Sequence, residues 1–210
     1  MKKNSALDSA LIAKAANYVE TLMKDDTTGH DFFHVLRVVE IAKQLSKNQK
    51  VDEEIILLAA YLHDIDDPKL VTPSMDSRSR YRNFLEVNHY PSERIDLIAE
   101  IISNMSYSSY VAGKRVTTLE GKIVQDADRL DAIGAIGIAR AFAYGGSKRR
   151  AIFEGDLDDD SSIAHFYQKL LKLPSLLHTP KAKQIASKRI RLMKQFLKEF
   201  HKEFDQGKRQ

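Results

Sequence analysis

The chain has 210 residues, 43% of them apolar and 30% charged, with nine Gly, five Pro and no Cys. That length supports one domain with a core of its own, and so little Gly and Pro argues against a β-sandwich or a disordered chain. The lack of cysteine excludes a disulfide framework and thiolate metal sites and fits a reducing cytoplasm, while no run approaches the roughly 18 apolar residues of a membrane span. The net charge is +4.

The opening MKKNSALDSALIAKAANYV is broken by Asp8 and Lys14. It therefore reads as an amphipathic helix over 8–24, within an N-terminal segment 1–24 that packs on the domain, and not as a signal peptide. Asp25 to Gly29 supplies turn and capping chemistry before a second helix over 30–48 that carries His34. Asp52 is placed to cap a third, very apolar helix through IILLAAYLHD, with Pro68 ending it just after His63-Asp64.

Helices are expected next over 77–88 and, opened by Pro91-Ser92-Glu93, over 92–104. SYSSYVAGKRVTT is too polar and irregular to pack and is predicted to be a loop. Residues 118–143 read as helix with small residues on closely packed faces. SKRRAIFEGDLDDDSS is a lid or a solvated connection, the connection being preferred. Ser161-Ser162 caps a helix through HFYQKLLKL, and the last helix spans 180–206, which overlaps a basic amphipathic segment 181–210 that holds ten Lys or Arg against three acids. Its apolar stripe (Ile185, Ile190, Met193, Phe196, Leu197, Phe200, Phe204) faces a core and its basic face water. The expected fold is an all-α, single-domain bundle without significant β-sheet.

Three short pieces of this chain carry chemistry. His34 sits in GHDFFHVLRV, four residues after His30 and three before Arg37, so all three share one helix face. His63 and Asp64 end a run in which seven of eight residues are apolar or small, and an imidazole beside a carboxylate there is costly unless something binds both. DADRLD gathers Asp126, Asp128 and Asp131 between apolar segments, a crowding of like charge best explained by a cation. Imidazole with carboxylate suits a borderline or hard divalent ion, and such a site points to hydrolysis.

The order His, His-Asp, Asp resembles the HD-domain superfamily of metal-dependent phosphohydrolases. HxxRV at His34–Val38, HDIxDxK from His63 to Lys69, IISNMSY, QDADRLDAIGAIGIARAFAYGG and HFYQKLLKL extend the likeness to a bacterial YpgQ/YedJ-like subgroup over about 25–205, with the core of the HD domain at 25–180. The resemblance implies an all-helical fold and one divalent ion, with manganese preferred to magnesium, iron, cobalt, nickel or zinc. It implies His34, His63, Asp64 and Asp128 as ligands, Asp128 because ADRL matches the last motif. It further implies Asp67, together with Asp64, in catalysis. Asp131, one turn after Asp128, is expected to orient a ligand or pair with a base, while Asp126 is expected at the surface or a helix start.

Phosphate chemistry also needs cations near the ion. Arg37 and Lys69 fit, whereas Arg129 stands about 100° from Asp128 on its helix and suits a structural ion pair. Asn104 and Tyr107 stand where many relatives carry a histidine, which makes a second metal less expected and offers both residues to substrate.

The expected activity is hydrolysis of a small phosphorylated molecule, a nucleotide above all, by a metal-activated water: nucleoside triphosphate to monophosphate and pyrophosphate. Nucleoside monophosphate or cyclic nucleotide hydrolysis are the enzymatic alternatives. A cytoplasmic enzyme without membrane contact follows, and a homodimer is compatible with the chain. The rival from another class is a non-catalytic nucleic-acid-binding protein with a structural metal. Base stacking would need exposed aromatics, and Phe196, Phe200 and Phe204 fall on the apolar stripe instead.

Overall fold

A computed structural model describes residues 8–24, 31–66 and 79–206. Its described residues hold ten α-helices and one 3₁₀ segment, and no strand among them. The chain divides into two compact units, 1–127 and 128–210.

In the first unit, α1 (Ser9–Met23) is capped by Asp8, whose carboxylate accepts from the amides of Ala10 and Leu11. α2 (Phe32–Ser46) is capped by Asp31, whose side chain accepts from the His34 amide at 2.7 Å. The cap is thus nearer to His34 than Asp25 to Gly29, which lie outside the described residues. α3 (Glu53–Leu62) begins at the expected cap Asp52 and is buried from Glu54 to Leu62. It packs against α1, α2 and α5, which accounts for a sequence apolar on every face.

α4 (Arg80–Val87) follows the cap Ser79, and α5 (Ser92–Met105) follows Pro91. The predicted loop after it contains a short helix, α6 (Tyr107–Val111). Ser106 accepts from the Ser109 amide at 2.9 Å and so starts a helix too short to show a period.

α7 spans Leu119–Asp131. A Cβ at Gly121 would stand 3.1 Å from the Ile101 side chain, so the start of α7 lies directly on α5. The single helix predicted over 118–143 is in fact two. Ile133 is extended and Gly134 adopts φ +86°, a conformation that needs glycine, before α8 (Gly134–Ser147) begins.

In the second unit, α9 (Ser162–Gln168) is capped by Ser161, but the helix predicted through HFYQKLLKL ends there. Leu170–Leu176 continues as 3₁₀ helix with Pro174 inside it, and the proline ring would clash with the carbonyl four residues back in an α-turn. α10 (Pro180–Gln206) buries Ala182, Ala186, Met193 and Leu197. Phe196 packs 5.9 Å from Phe142 and 5.8 Å from Phe166, and Phe200 and Phe204 pack on Phe153. The segment between α8 and α9 has no regular structure, and the Gln168 amide ties it down through the carbonyls of Leu157 and Asp159.

Candidate metal centre

Three helices deliver the site. His34 lies in the first turn of α2, fully buried at 0% exposure, because the apolar face of that helix turns inward at Val35, Val38 and Val39. His63 follows the last residue of α3, and its Nδ1 lies 2.8 Å from the Ala60 carbonyl. A carbonyl only accepts, so Nδ1 carries the proton and the lone pair of a neutral ring falls on Nε2. That is how metal-binding histidines are oriented.

The two rings stand edge to face at 5.4 Å. Asp64 sits against both, its Oδ2 3.4 Å from His34 Nε2 and its Oδ1 3.3 Å from His63 Nε2. Asp128 enters from α7. Three residues earlier on that helix, the Gln125 side-chain amide donates to the Met105 carbonyl at 2.7 Å, which locks α7 to the end of α5. His34, His63 and Asp128 each present one ligand atom, and these atoms all lie within 4.8 Å of one another.

The spacing suits a divalent ion. Neighbouring ligands at bonds of about 2.1 Å stand about 3.0–3.4 Å apart, and opposite ones about 4.2 Å. The gaps between Asp64 and the imidazoles fall in the first range, and the span of the three-residue cluster needs only a small contraction. Two imidazoles with carboxylates form a donor set for manganese, iron, zinc or related ions. Helices converging two histidines and a carboxylate on one point define an all-α protein with a divalent-metal site.

The other expected site residues are distributed unevenly. Asp131 is buried and its Oδ2 accepts from Arg140 Nη1 at 2.9 Å. Asp126, expected at the surface or a helix start, is corrected by the structure: it lies at 0% exposure within α7. Charge alone gave the wrong side because DADRLD has no apolar period to read. Arg129 is buried as well and donates to the Leu176 carbonyl, which closes the 3₁₀ segment.

Arg37 is half-buried one turn after His34 on α2, and Asn104 and Tyr107 are half-buried at the end of α5 and the start of α6. Asp67 and Lys69 lie outside the described residues, as do His30 and Pro68. One site feature escaped sequence reasoning. Asp66 accepts from Ser79 Oγ at 2.7 Å and from the Arg80 amide at 2.9 Å, and Arg80 Nη1 reaches the Ile65 carbonyl at 3.4 Å. The His63–Asp66 turn is thereby fastened to the start of α4, a contact across 13 residues that no local pattern announces.

The HD-domain pattern matches residues 31–133, a span that contains His34, the His63-Asp64 pair and Asp128. YpgQ of Bacillus subtilis is 37% identical over 187 residues, 89% of this chain and 90% of that one. Among solved structures, a Lactobacillus plantarum protein superposes with a TM-score of 0.85 at 31% identity, covering 95% of this chain and 99% of its own. An HD-superfamily hydrolase of Bacillus thuringiensis superposes with a TM-score of 0.71 at 41% identity, covering 92% and 96%. The crystal structure of YpgQ in complex with ADP gives 0.78 at 33% identity over 94% and 97%. The chain belongs to the HD-domain family of metal-dependent hydrolases, in its YpgQ-like branch.

Proposed function

We propose that this protein hydrolyses nucleotides, taking a nucleoside triphosphate to the monophosphate and pyrophosphate, with manganese as its ion and the cytoplasm as its place of work. The convergence of His34, His63 and Asp128 within 4.8 Å carries the reading. The ADP held by the relative YpgQ supports a nucleotide. Asp64, against both imidazoles, is the fourth ligand in this reading. A divalent ion held by these groups would supply a lowered pKa for a bound water and polarisation of a phosphoryl oxygen.

The chain's own residues do the rest. The Ala60 carbonyl keeps His63 in the tautomer whose Nε2 faces the site. Asp67 takes the proton of the attacking water or returns it to the leaving group, and Arg37 and Lys69 offset charge on the phosphates as the bond breaks. Asn104 and Tyr107 contact the nucleotide, and Asp131 acts through its bond to Arg140. The water oxygen bonds to the α-phosphorus, the bond from that phosphorus to the bridging oxygen breaks, and pyrophosphate leaves.

The test is a panel of nucleoside mono-, di- and triphosphates and cyclic nucleotides with manganese, each product identified. The expected result is pyrophosphate and monophosphate from a triphosphate, lost in Asp64→Ala and Asp128→Ala while helicity by circular dichroism stays at the wild-type level. Release of orthophosphate alone, or wild-type rates in either variant, contradicts the reading.

A further inference from the structure

We propose that the second unit carries a separate binding site for a small phosphorylated organic anion, in a groove between the 3₁₀ segment and α10. From Ser161 to Lys198 the chain has nine Lys or Arg and no Asp or Glu. Part of this charge borders a groove of about 600 Å³ lined by Pro174 and Ser175 of the 3₁₀ segment and by Lys183, Ser187, Ile190, Arg191 and Lys194 of α10. The α10 residues recur at four, three, one and three positions, so they form one stripe of the helix. No acid lines the groove.

Among the described residues, no acidic side chain pairs with Lys183, Arg191 or Lys194. All three are exposed, whereas Pro174 and Ile190 are half-buried and form an apolar floor. Arg191 and Lys194 repel each other one turn apart, a cost that an anion relieves. Ser175 donates its proton to the Lys172 carbonyl at 2.7 Å and so offers an anion no donor, which leaves Ser187 as the hydroxyl of the lining that can donate to one.

The volume falls in the range of small-molecule sites, about 300–1,000 Å³. An occupant must place negative charge on the three cations and a flat or apolar part on Pro174 and Ile190. A phosphate monoester or anhydride of nucleotide size meets both needs. Arg191 supplies a planar fork for phosphate oxygens, and the two lysines act as point charges. Single-stranded nucleic acid also carries phosphate, but an open groove floored by a proline and an isoleucine, with no aromatic in its lining, lacks a stacking surface for successive bases.

ATP binding is measured by calorimetry on the full-length Asp64→Ala/Asp128→Ala protein in EDTA, so that neither metal nor turnover contributes. One saturable site is expected. Binding should weaken about tenfold or more in the added Lys183→Gln/Arg191→Gln/Lys194→Gln variant, and also in Ser187→Glu, which puts an anion into the groove. Adenosine should not bind, and inorganic pyrophosphate should bind more weakly than ATP. In an otherwise wild-type protein the triple substitution should leave metal-dependent turnover and KM unchanged. Equal ATP affinity with and without the three cations overturns the proposal. So does a duplex oligonucleotide binding tightly where ATP does not, or a raised KM in the triple variant, which would make the groove part of the metal centre. Failure here leaves the nucleotide hydrolysis reading intact, because that reading is tested by products and metal dependence.

Discussion

Arg94 holds three groups at once. Its guanidinium donates to both Asp52 oxygens at 2.8 and 3.1 Å, to Glu54 Oε1 at 3.1 Å and to the Tyr90 hydroxyl at 2.7 Å. Tyr90 in turn donates to Glu54 at 2.6 Å, and Glu54 Oε2 accepts from the Asp8 amide at 2.8 Å. Burial pushes the Tyr90 hydroxyl up, with its bond to Glu54 adding to the effect. Burial also pushes Asp52 upward, yet its bonds to Arg94 and the Ile55 amide outweigh this and hold it below the ordinary carboxylate value.

Arg94→Met strips the cation from a nearly buried Glu54 and a half-exposed Asp52. Breaking a fully buried pair costs about 3–5 kcal/mol, and partial exposure brings the expected loss here to about 2 kcal/mol. Because the folded value of Asp52 is depressed, its share is present above about pH 4 and lost as pH falls through that folded value. Urea unfolding at pH 7 should show the full gap between wild type and variant, and unfolding near pH 3 a smaller one. A gap that widens in acid would reject this assignment. Asp52 was legible in the sequence as a cap, because capping is local. Its bond to Arg94 spans 42 residues and was not.

At the scale of the element, the turn after α3 is the piece on which the site depends. His63 and Asp64 have no helix of their own to hold them. The Ala60 carbonyl orients one ring, and Asp66 fastens the turn to Ser79 and Arg80. Asp66→Ala removes two hydrogen bonds to the start of α4, at about 1–2 kcal/mol of stability. Groups that orient metal ligands also set affinity, commonly by about 10–100-fold. Manganese affinity in Asp66→Ala should fall by about tenfold, and in Ser79→Ala, which loses one of the bonds, by less. Unchanged affinity in Asp66→Ala would show that the turn needs no such fastening.

Sequence pattern located most helices, because α1, α2, α3, α5 and α10 bury faces long enough to show a period and start at residues that cap or open helices. It failed where a single residue decides. Gly134 splits the helix over 118–143, Pro174 stands in a stretch that forms 3₁₀ in place of α-helix, and five residues of α6 are too few for a period.

At the scale of the molecule, the metal centre draws on three helices whose contributing residues span 34 to 128. The residue types were legible: two imidazoles and the carboxylates beside them stand out against apolar surroundings, and their order resembles a known family. Which aspartate of DADRLD faces inward was not legible from charge, since Asp126 and Asp131 are the more deeply buried and Asp128 is the half-buried one at the cluster. Among the described residues no helix is long and apolar enough to cross a membrane.

The most direct test is calorimetric titration of metal-free protein with manganese, on wild type and on His34→Ala, His63→Ala, Asp64→Ala and Asp128→Ala. One site is expected in the wild type and a loss of affinity of about 100-fold or more in each variant, with unfolding of the metal-free proteins confirming that each is folded. Wild-type affinity in both His34→Ala and Asp128→Ala would contradict that expectation.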